Sequence, residues 1–244
     1  MEWWHILLIV IGGIAVLLLL TIFLYRPLFK RIWDILFGIL LGLFAIPILL
    51  LASLFVFLVS PKSGSPIFKQ VRVGRKGKQF TMLKLRTMTN DKDENGEFLP
   101  DEQRLKWWGK VIRKTNIDEL TQILHILVGQ MSFVGPRPLL PKEMLVMTTK
   151  EQEKRQSVRP GIVGWESVNE EKSTSRAEMA QFDLYYVDHW SFGLDIKIFF
   201  KTIFGIFRRP DDSKRAPKLS EEEIKEAQEK DRLEQIEEQG SGDR

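Results

Sequence analysis

Both flanks of the second apolar stretch in this chain are positively charged, and this limits how the chain can sit in a bilayer. The stretch covers 35–60, with Arg26, Lys30 and Arg31 before it and Lys62, Lys69, Arg72, Arg75, Lys76 and Lys78 after it. Short flanks rich in Lys and Arg stay on the cytoplasmic side of a membrane, so both ends call for the same face. Pro47 lies near the middle, where it removes a backbone hydrogen bond and crowds the preceding turn. One reading is a helix that enters the membrane, bends at Pro47 and returns. The other is a kinked helix that spans, which membrane proteins tolerate. Charge favours re-entry.

The first apolar segment, 6–25, runs for 20 residues without a charge. At about 1.5 Å per residue such a helix crosses a hydrocarbon core of about 30 Å. Trp3, Trp4 and Tyr25 stand where interfacial aromatics belong. A cleaved signal peptide needs a basic start and a shorter apolar core. Here Glu2 precedes the segment and Arg26-Pro27 follows it, so a retained helix is expected, its basic end cytoplasmic. The expected organisation is a transmembrane helix at 1–27, a re-entrant helix at 28–61, a cytoplasmic domain at 62–210 and a charged tail at 211–244.

Cysteine is absent, which excludes disulfides, thiol catalysis and Cys-based zinc sites. The three histidines, His5, His125 and His189, have no ligand-like spacing. A metal would therefore be a hard cation held by carboxylates and phosphates, with Mg²⁺ the expected one. The net charge of +4 is unevenly spread: 62–114 holds fourteen Lys and Arg against six Asp and Glu. Beside apolar segments, such a block suits lipid headgroups or phosphorylated substrates. A nucleic-acid binder would rest on this block alone and is not expected.

In the soluble part, IFKQVRVG and KQFTMLKLRTM alternate around Gly74-Arg75-Lys76-Gly77, which predicts a β-hairpin. The acidic loop 90–100 carries the turn signal Asn95-Gly96. A helix is expected from Asn116 as cap, with Glu119 in the capping-box position, an apolar face of Leu120, Ile123, Leu124 and Leu127, and a stop at Gly129. Across 195–209, Ile196, Phe199, Phe200, Ile203 and Phe207 share one helical face and Lys197, Lys201 and Arg208 another. That pattern fits a helix in the membrane interface or an amphipathic core helix equally. After Pro217, Ser220 and Glu223 form a capping box before a Glu-rich stretch expected to be a solvated helix or disorder. The fold class expected is an α+β membrane protein, with a mainly helical domain, a short hairpin and interfacial helices.

The candidate chemistry centres on Asp118 and Glu119. In a first helical turn, free N–H groups favour ionised carboxylates, suited to a nucleophile or a metal ligand. Acids there are also common as plain helix stabilisers. Lys84 and Arg86 end a predicted strand, Arg113 lies just upstream, and Arg137 stands between Pro136 and Pro138. Each can bind phosphate oxygens, and each can instead be an ordinary surface charge. Gly74 and Gly77 form a turn rather than a nucleotide loop. His125 reads as a packed residue, while His189, Trp107 and Trp108 can pack or lie at an interface.

The ordered motifs resemble those of the bacterial sugar transferases, the monotopic phosphoglycosyl transferases. They are KRIWD at 30–34, SGSPIFKQVRVGRKGKQF, KLRTM at 84–88, DENGEFLPDEQR, IRKTNIDELTQ, VGQMSFVGPRPLLP, VRPGIVGW, Val168-Asn169 and LDIKI. The resemblance covers roughly 28–209. It implies a re-entrant, proline-broken helix and an Asp-Glu dyad at Asp118 and Glu119. By the same resemblance, Asp118 attacks the β-phosphorus of a UDP-sugar, UMP leaves, and a polyprenyl (undecaprenyl) phosphate takes the sugar phosphate from the aspartyl intermediate. Mg²⁺ is implied at Asp118, Glu119 is implied to support the dyad, and Lys84, Arg113 and Arg137 match phosphate-holding positions. The implied location is the inner membrane, with membrane lipids as surroundings. A homodimer, through Gly12-Gly13 for instance, and downstream glycosyltransferases are further expected partners.

The sequence also departs from the family pattern. Ile46 precedes Pro47 where relatives carry a small polar residue, and Thr121 replaces a proline. Glu166-Ser167 replaces Ala-Gln, and Glu170-Glu171 replaces Gly-Arg. These departures leave open an inactive membrane adaptor that keeps the fold.

Overall fold

The computed structural model describes residues 3–25, 29–169, 175–206 and 219–242. Two long apolar helices open it, α1 at Trp3–Leu24 and α2 at Lys30–Val59. Of the flanking charges, Arg26 lies outside the described residues. Both Gly12 and Gly13 of α1 face open space.

α2 is 30 residues long and is not interrupted at Pro47. It is long and apolar enough to cross a membrane. Its buried residues, Asp34, Gly38, Gly42, Ala45, Leu49 and Val56, recur every three, four or seven positions, the repeat of a single helical face. The opposite face leaves Leu43, Phe44, Leu50, Leu51 and Leu58 exposed. The glycines let α2 lie close against the domain. A Cβ on Gly38 would come within 2.9 Å of the Leu127 side chain.

The hairpin forms as expected: β1 at Ile67–Val73 pairs antiparallel with β2 at Gln79–Leu85. Lys76 and Gly77, at φ 57° and 72°, make its tight turn. After the acidic loop, where Gly96 adopts φ 82°, come α3 at Asp101–Arg104 and α4 at Trp107–Lys114. α4 buries Trp108 and Ile112 against Val56 of α2 and Leu85 of β2, and leaves Trp107 outside, edge-on to Phe55.

The helix expected from Asn116 forms differently. Asn116 takes a left-handed conformation (φ 53°, ψ 21°) and caps nothing with its side chain. A 3-10 turn follows at Ile117–Glu119, and the α-helix proper, α5, covers only Gln122–Leu127. The cause is the sharp reversal out of α4, which Asn accommodates better than most residues. Gly129, at φ 86°, ends the element as expected.

Short parallel strands β3 (Ser132–Val134) and β4 (Gly161–Val163) pair across the GPRP turn. Helices α6 (Thr149–Arg155), α7 (Arg176–His189) and α8 (Phe192–Ile206) complete the domain. Phe207 and Arg208 lie outside the described residues. On α8, Asp195 and Ile198 are buried while Ile196, Phe199, Phe200 and Phe204 stay exposed. The Asp195 carboxylate receives hydrogen bonds from Tyr25, Lys30 and Tyr186, joining the end of α1 and the start of α2 to α7 and α8.

The acidic tail forms the expected helix, exposed along most of its length, but one side of it docks on the domain. α9 (Glu221–Gly242) docks on α6 and on the 3-10 segment Pro141–Val146, packing Leu219 and Ile224 on a core that holds Val146 and Met147. Asp231 accepts from the Thr149 amide and hydroxyl at 2.7 and 2.9 Å, and Lys230 pairs with Glu151 at 2.7 Å. A stripe of Ile224, Ala227 and Asp231 at helical spacing makes one side of the tail adhesive.

Gly109 of α4 rests on the backbone at the end of β2, where an added Cβ would lie 1.9 Å from the Thr87 carbonyl oxygen. Gly109→Ala must therefore push α4 away, at a cost of about 3 kcal/mol. Thermal unfolding in detergent is expected to show a clear drop in midpoint, and an unchanged melt would contradict this packing.

Candidate active site

Asp118 and Glu119 sit on the 3-10 turn that joins α4 to α5, facing the end of β2. Two links fix the turn to the strand. Thr121, buried, donates its hydroxyl to the Leu83 carbonyl at 2.5 Å, and it lies 3.3 Å from the Asp118 carbonyl. His125 accepts the Leu83 amide on Nε2 at 3.0 Å while its Nδ1 meets Gln130 Oε1 at 2.6 Å. That pair of bonds defines a neutral imidazole protonated on Nδ1, so His125 is the packed residue expected. Thr121, where the family pattern has proline, replaces a rigid ring with a hydrogen bond.

Lys84 reaches across from β2 to Glu119 at 3.1 Å. Arg113, on the last turn of α4, donates Nε to Thr87 Oγ1 at 3.0 Å. Asp118 differs from its neighbour. Its Oδ1 is buried and has no hydrogen-bond partner among the described residues. Burial, and then the adjacent Glu119 carboxylate, raise the Asp118 pKa, while Lys84 and Arg113 pull it back. A backbone N–H bond to the carboxylate also favours the ionised form, as the helix-terminus argument expects, but it is joined by the cations. The turn is 3-10 and short, and the two cations favour the charged form too.

The other two cations lie elsewhere. Arg86 spends its guanidinium on the Ser65 carbonyl at 2.7 Å and the Asn90 side chain at 2.8 Å, closing the loop beyond the hairpin. Arg137 is exposed on the GPRP turn, and its guanidinium makes no hydrogen bond or ion pair with a side chain among the described residues. Its neighbours are Glu143, Glu166, Arg176 and Asp183, around a small cavity of about 20 Å³. The structure therefore gathers Lys84, Arg113, Asp118 and Glu119, and leaves Arg86 and Arg137 outside that group.

Sequence reasoning missed the residues that hold these groups in place. Arg155 donates Nε and Nη2 to buried Asp183 at 2.9 and 2.6 Å, and Nη2 also to the Arg137 carbonyl at 2.5 Å. Asp183 was visible as an acid inside the aromatic run FDLYY. Thr87 offered no signal beyond its place in KLRTM. Glu166 is buried beside Ser167, whose hydroxyl donates to it at 3.2 Å. Glu170 and Glu171 lie outside the described residues.

Comparison with known proteins decides the family, because the bacterial sugar transferase profile matches residues 25–209. The chain belongs to the bacterial sugar transferase family. Only α1 and α9 fall outside the family segment. An uncharacterized sugar transferase, EpsL, of Bacillus subtilis (strain 168) is 46% identical over 175 residues, covering 71% of this chain and 85% of the relative. The UDP-glucose:undecaprenyl-phosphate glucose-1-phosphate transferase of Escherichia coli (strain K12) is 37% identical over 193 residues, covering 74% of this chain. The UDP-N-acetylgalactosamine-undecaprenyl-phosphate N-acetylgalactosaminephosphotransferase of Aeromonas hydrophila is 36% identical over 186 residues. The matches span 40% and 42% of the lengths of the last two sugar transferases.

The raised Asp118 pKa has a consequence for stability. A carboxyl with a raised folded-state value stabilises the fold below the unfolded value, about 3.9, and loses that contribution as pH rises through the folded value. Above it, the buried charge is a cost that asparagine lacks. Asp118→Asn is expected to melt above wild type at pH 8, with the gap closing as the pH approaches 4. A variant that melts lower at pH 8 would mean that Asp118 is held as a stabilising ion.

Proposed function

We propose that this sugar transferase moves a sugar 1-phosphate from a UDP-sugar to undecaprenyl phosphate or a similar polyprenyl phosphate, initiating polysaccharide or glycan assembly. The observation that carries the proposal is the buried Asp118 oxygen, without a hydrogen-bond partner among the described residues and within the electrostatic reach of Lys84 and Arg113. The named activities of the E. coli and Aeromonas relatives support it.

In the proposed cycle, Asp118 attacks the β-phosphorus of the donor. The bond from that phosphorus to the bridging oxygen breaks, UMP departs with the electron pair, and an aspartyl phosphosugar remains. A phosphate oxygen of the acceptor then attacks the same phosphorus. This frees the carboxylate and yields a polyprenyl diphosphate sugar. Lys84 and Arg113 hold phosphate oxygens and keep Asp118 ionised despite burial. Glu119 orients Lys84 through their ion pair. Arg137, exposed on the GPRP turn, receives donor phosphate as the two groups are brought together by substrate.

No cluster of three or more metal-ligating side chains occurs among the described residues, so a divalent cation would take one protein carboxylate and draw its other ligands from substrate phosphates and water. Asp118 offers a free buried oxygen, and Mg²⁺ commonly uses one or two carboxylates with substrate phosphates supplying the rest. Asp118 would be its protein ligand, and Mg²⁺ would neutralise the diphosphate as UMP leaves.

We further propose that α2 is re-entrant, with the domain on the cytoplasmic face of the inner membrane. Support comes from contacts at both ends of α2. Asp34 accepts from Ser132 Oγ and the Phe133 amide, each at 3.0 Å, and Val56 packs on Leu85, Trp108 and Ile112. Those positions lie about 33 Å apart on a straight helix. Contacts from one domain to both ends support a helix that stays with the domain, although α2 runs unbroken through Pro47, and both charged flanks favour the same face.

Full-length protein in detergent, incubated with a panel of UDP-sugars, polyprenyl phosphate and Mg²⁺, is expected to release UMP with one or a few donors. Asp118→Asn should reduce that release by at least about 10³-fold, the scale on which catalytic nucleophiles act. Undiminished release by the variant would remove Asp118 from the mechanism.

A further inference from the structure

α8 carries a feature that phosphoryl transfer at Asp118 does not use. Lys197 and Lys201, one turn apart, bring their ammonium groups to 5.3 and 5.1 Å from the ring centre of Trp165. Neither forms a salt bridge or hydrogen bond among the described residues. The indole is held from elsewhere, since Trp165 stacks on Tyr185 at 5.8 Å and Tyr185 on His189 at 4.0 Å. Two like charges thus converge on one fixed aromatic ring with no counter-ion among the described residues.

Their place around the helix matters as much. Ile198, Asp195 and Thr202 mark the side of α8 turned to the domain, and Phe199, Phe200 and Phe204, 43%, 50% and 65% exposed, mark the outer side. At 100° per residue, Lys197 and Lys201 fall on one border between the two sides. A helix lying with its phenylalanines among acyl chains puts such border lysines at headgroup depth. Tryptophan prefers the same depth.

We propose that Lys197, Lys201 and Trp165 form a binding site for the headgroup phosphate of an anionic phospholipid. One phosphate between the ammonium groups removes their mutual repulsion, and its acyl chains continue along the exposed phenylalanines. This site rests on the reading of the chain as a membrane-seated transferase. The competing occupant is the phosphate of the polyprenyl acceptor, which shares the chemistry but has to reach Asp118.

Native mass spectrometry of the full-length protein in neutral detergent tests the site, with phosphatidylglycerol, phosphatidylcholine and a polyprenyl monophosphate as probes. Wild type is expected to retain phosphatidylglycerol in preference to phosphatidylcholine. The double variant Lys197→Gln/Lys201→Gln should lose about thirtyfold of that preference, from the usual contribution of two basic residues near anionic lipid. Its polyprenyl monophosphate binding and its UMP release in detergent should stay unchanged. The double variant Lys197→Arg/Lys201→Arg should restore the preference, which separates charge from packing. An unchanged preference in the Gln variant overturns the proposal. A loss confined to polyprenyl monophosphate overturns it too, and assigns the lysines to the acceptor. Sedimentation of wild type with phosphatidylcholine vesicles checks the membrane reading separately, and failure there removes the site together with its premise.

Discussion

The contact on which the rest of this structure depends is the narrow face of α2 laid along the domain. Asp34 bonds to the start of β3, Gly38 and Gly42 admit α5, and Val56 enters the cluster formed by β2 and α4. Small residues make this possible, because only backbone-close approach lets a helix with so much outward apolar surface also pack inward. Arg31 extends the seam by donating to the Ile126 and Leu127 carbonyls at 2.6 and 3.0 Å, capping the C-terminal end of α5. The same α5 follows the turn that bears Asp118. The membrane helix and the candidate nucleophile are thus positioned by one short element.

The site itself shows the usual tension between stability and chemistry. A buried carboxylate oxygen without a partner is unfavourable for the fold, and Glu119 beside it adds repulsion. The surrounding structure tolerates this because Thr121 and His125 tie the turn to the Leu83 backbone through groups that carry no charge. Lys84 and Arg113 then offset the burial from either side. A fully satisfied Asp118 would be a better structural residue and, in the proposed cycle, a poorer nucleophile.

Departures from the family pattern fall in two kinds of place. Thr121 and Glu166 are buried and hydrogen-bonded. α9 lies beyond the family segment, yet it docks on α6 and the segment after the GPRP turn. Glu223 accepts from the Ala177 amide at 3.0 Å, which places the tail at the first turn of α7. An acidic stretch that reads as solvent-exposed by composition is therefore part of the domain surface. Ile224 and Ala227 face the domain while Leu233 and Ile236 stay exposed, and Thr149 and Glu151 supply matching polar partners.

Sequence alone determined the elements whose signal is local. The hairpin followed from alternation around GRKG, the end of α5 from Gly129, and the two apolar helices from unbroken hydrophobic runs, since period and turn chemistry are written in neighbouring residues. It also determined the dyad and the cations as candidates, through motif order. Only the tertiary structure decided which cations meet the dyad. Lys84 and Arg113 reach it from β2 and α4, whereas Arg86 is taken by the Ser65 carbonyl and Arg137 stands on a separate turn. It alone decided that Asn116 reverses the chain instead of capping a helix, and that the acidic tail docks. These outcomes depend on which backbone groups and surfaces come together from distant parts of the chain, and the largest influence on the Asp118 carboxyl is its burial, a tertiary property.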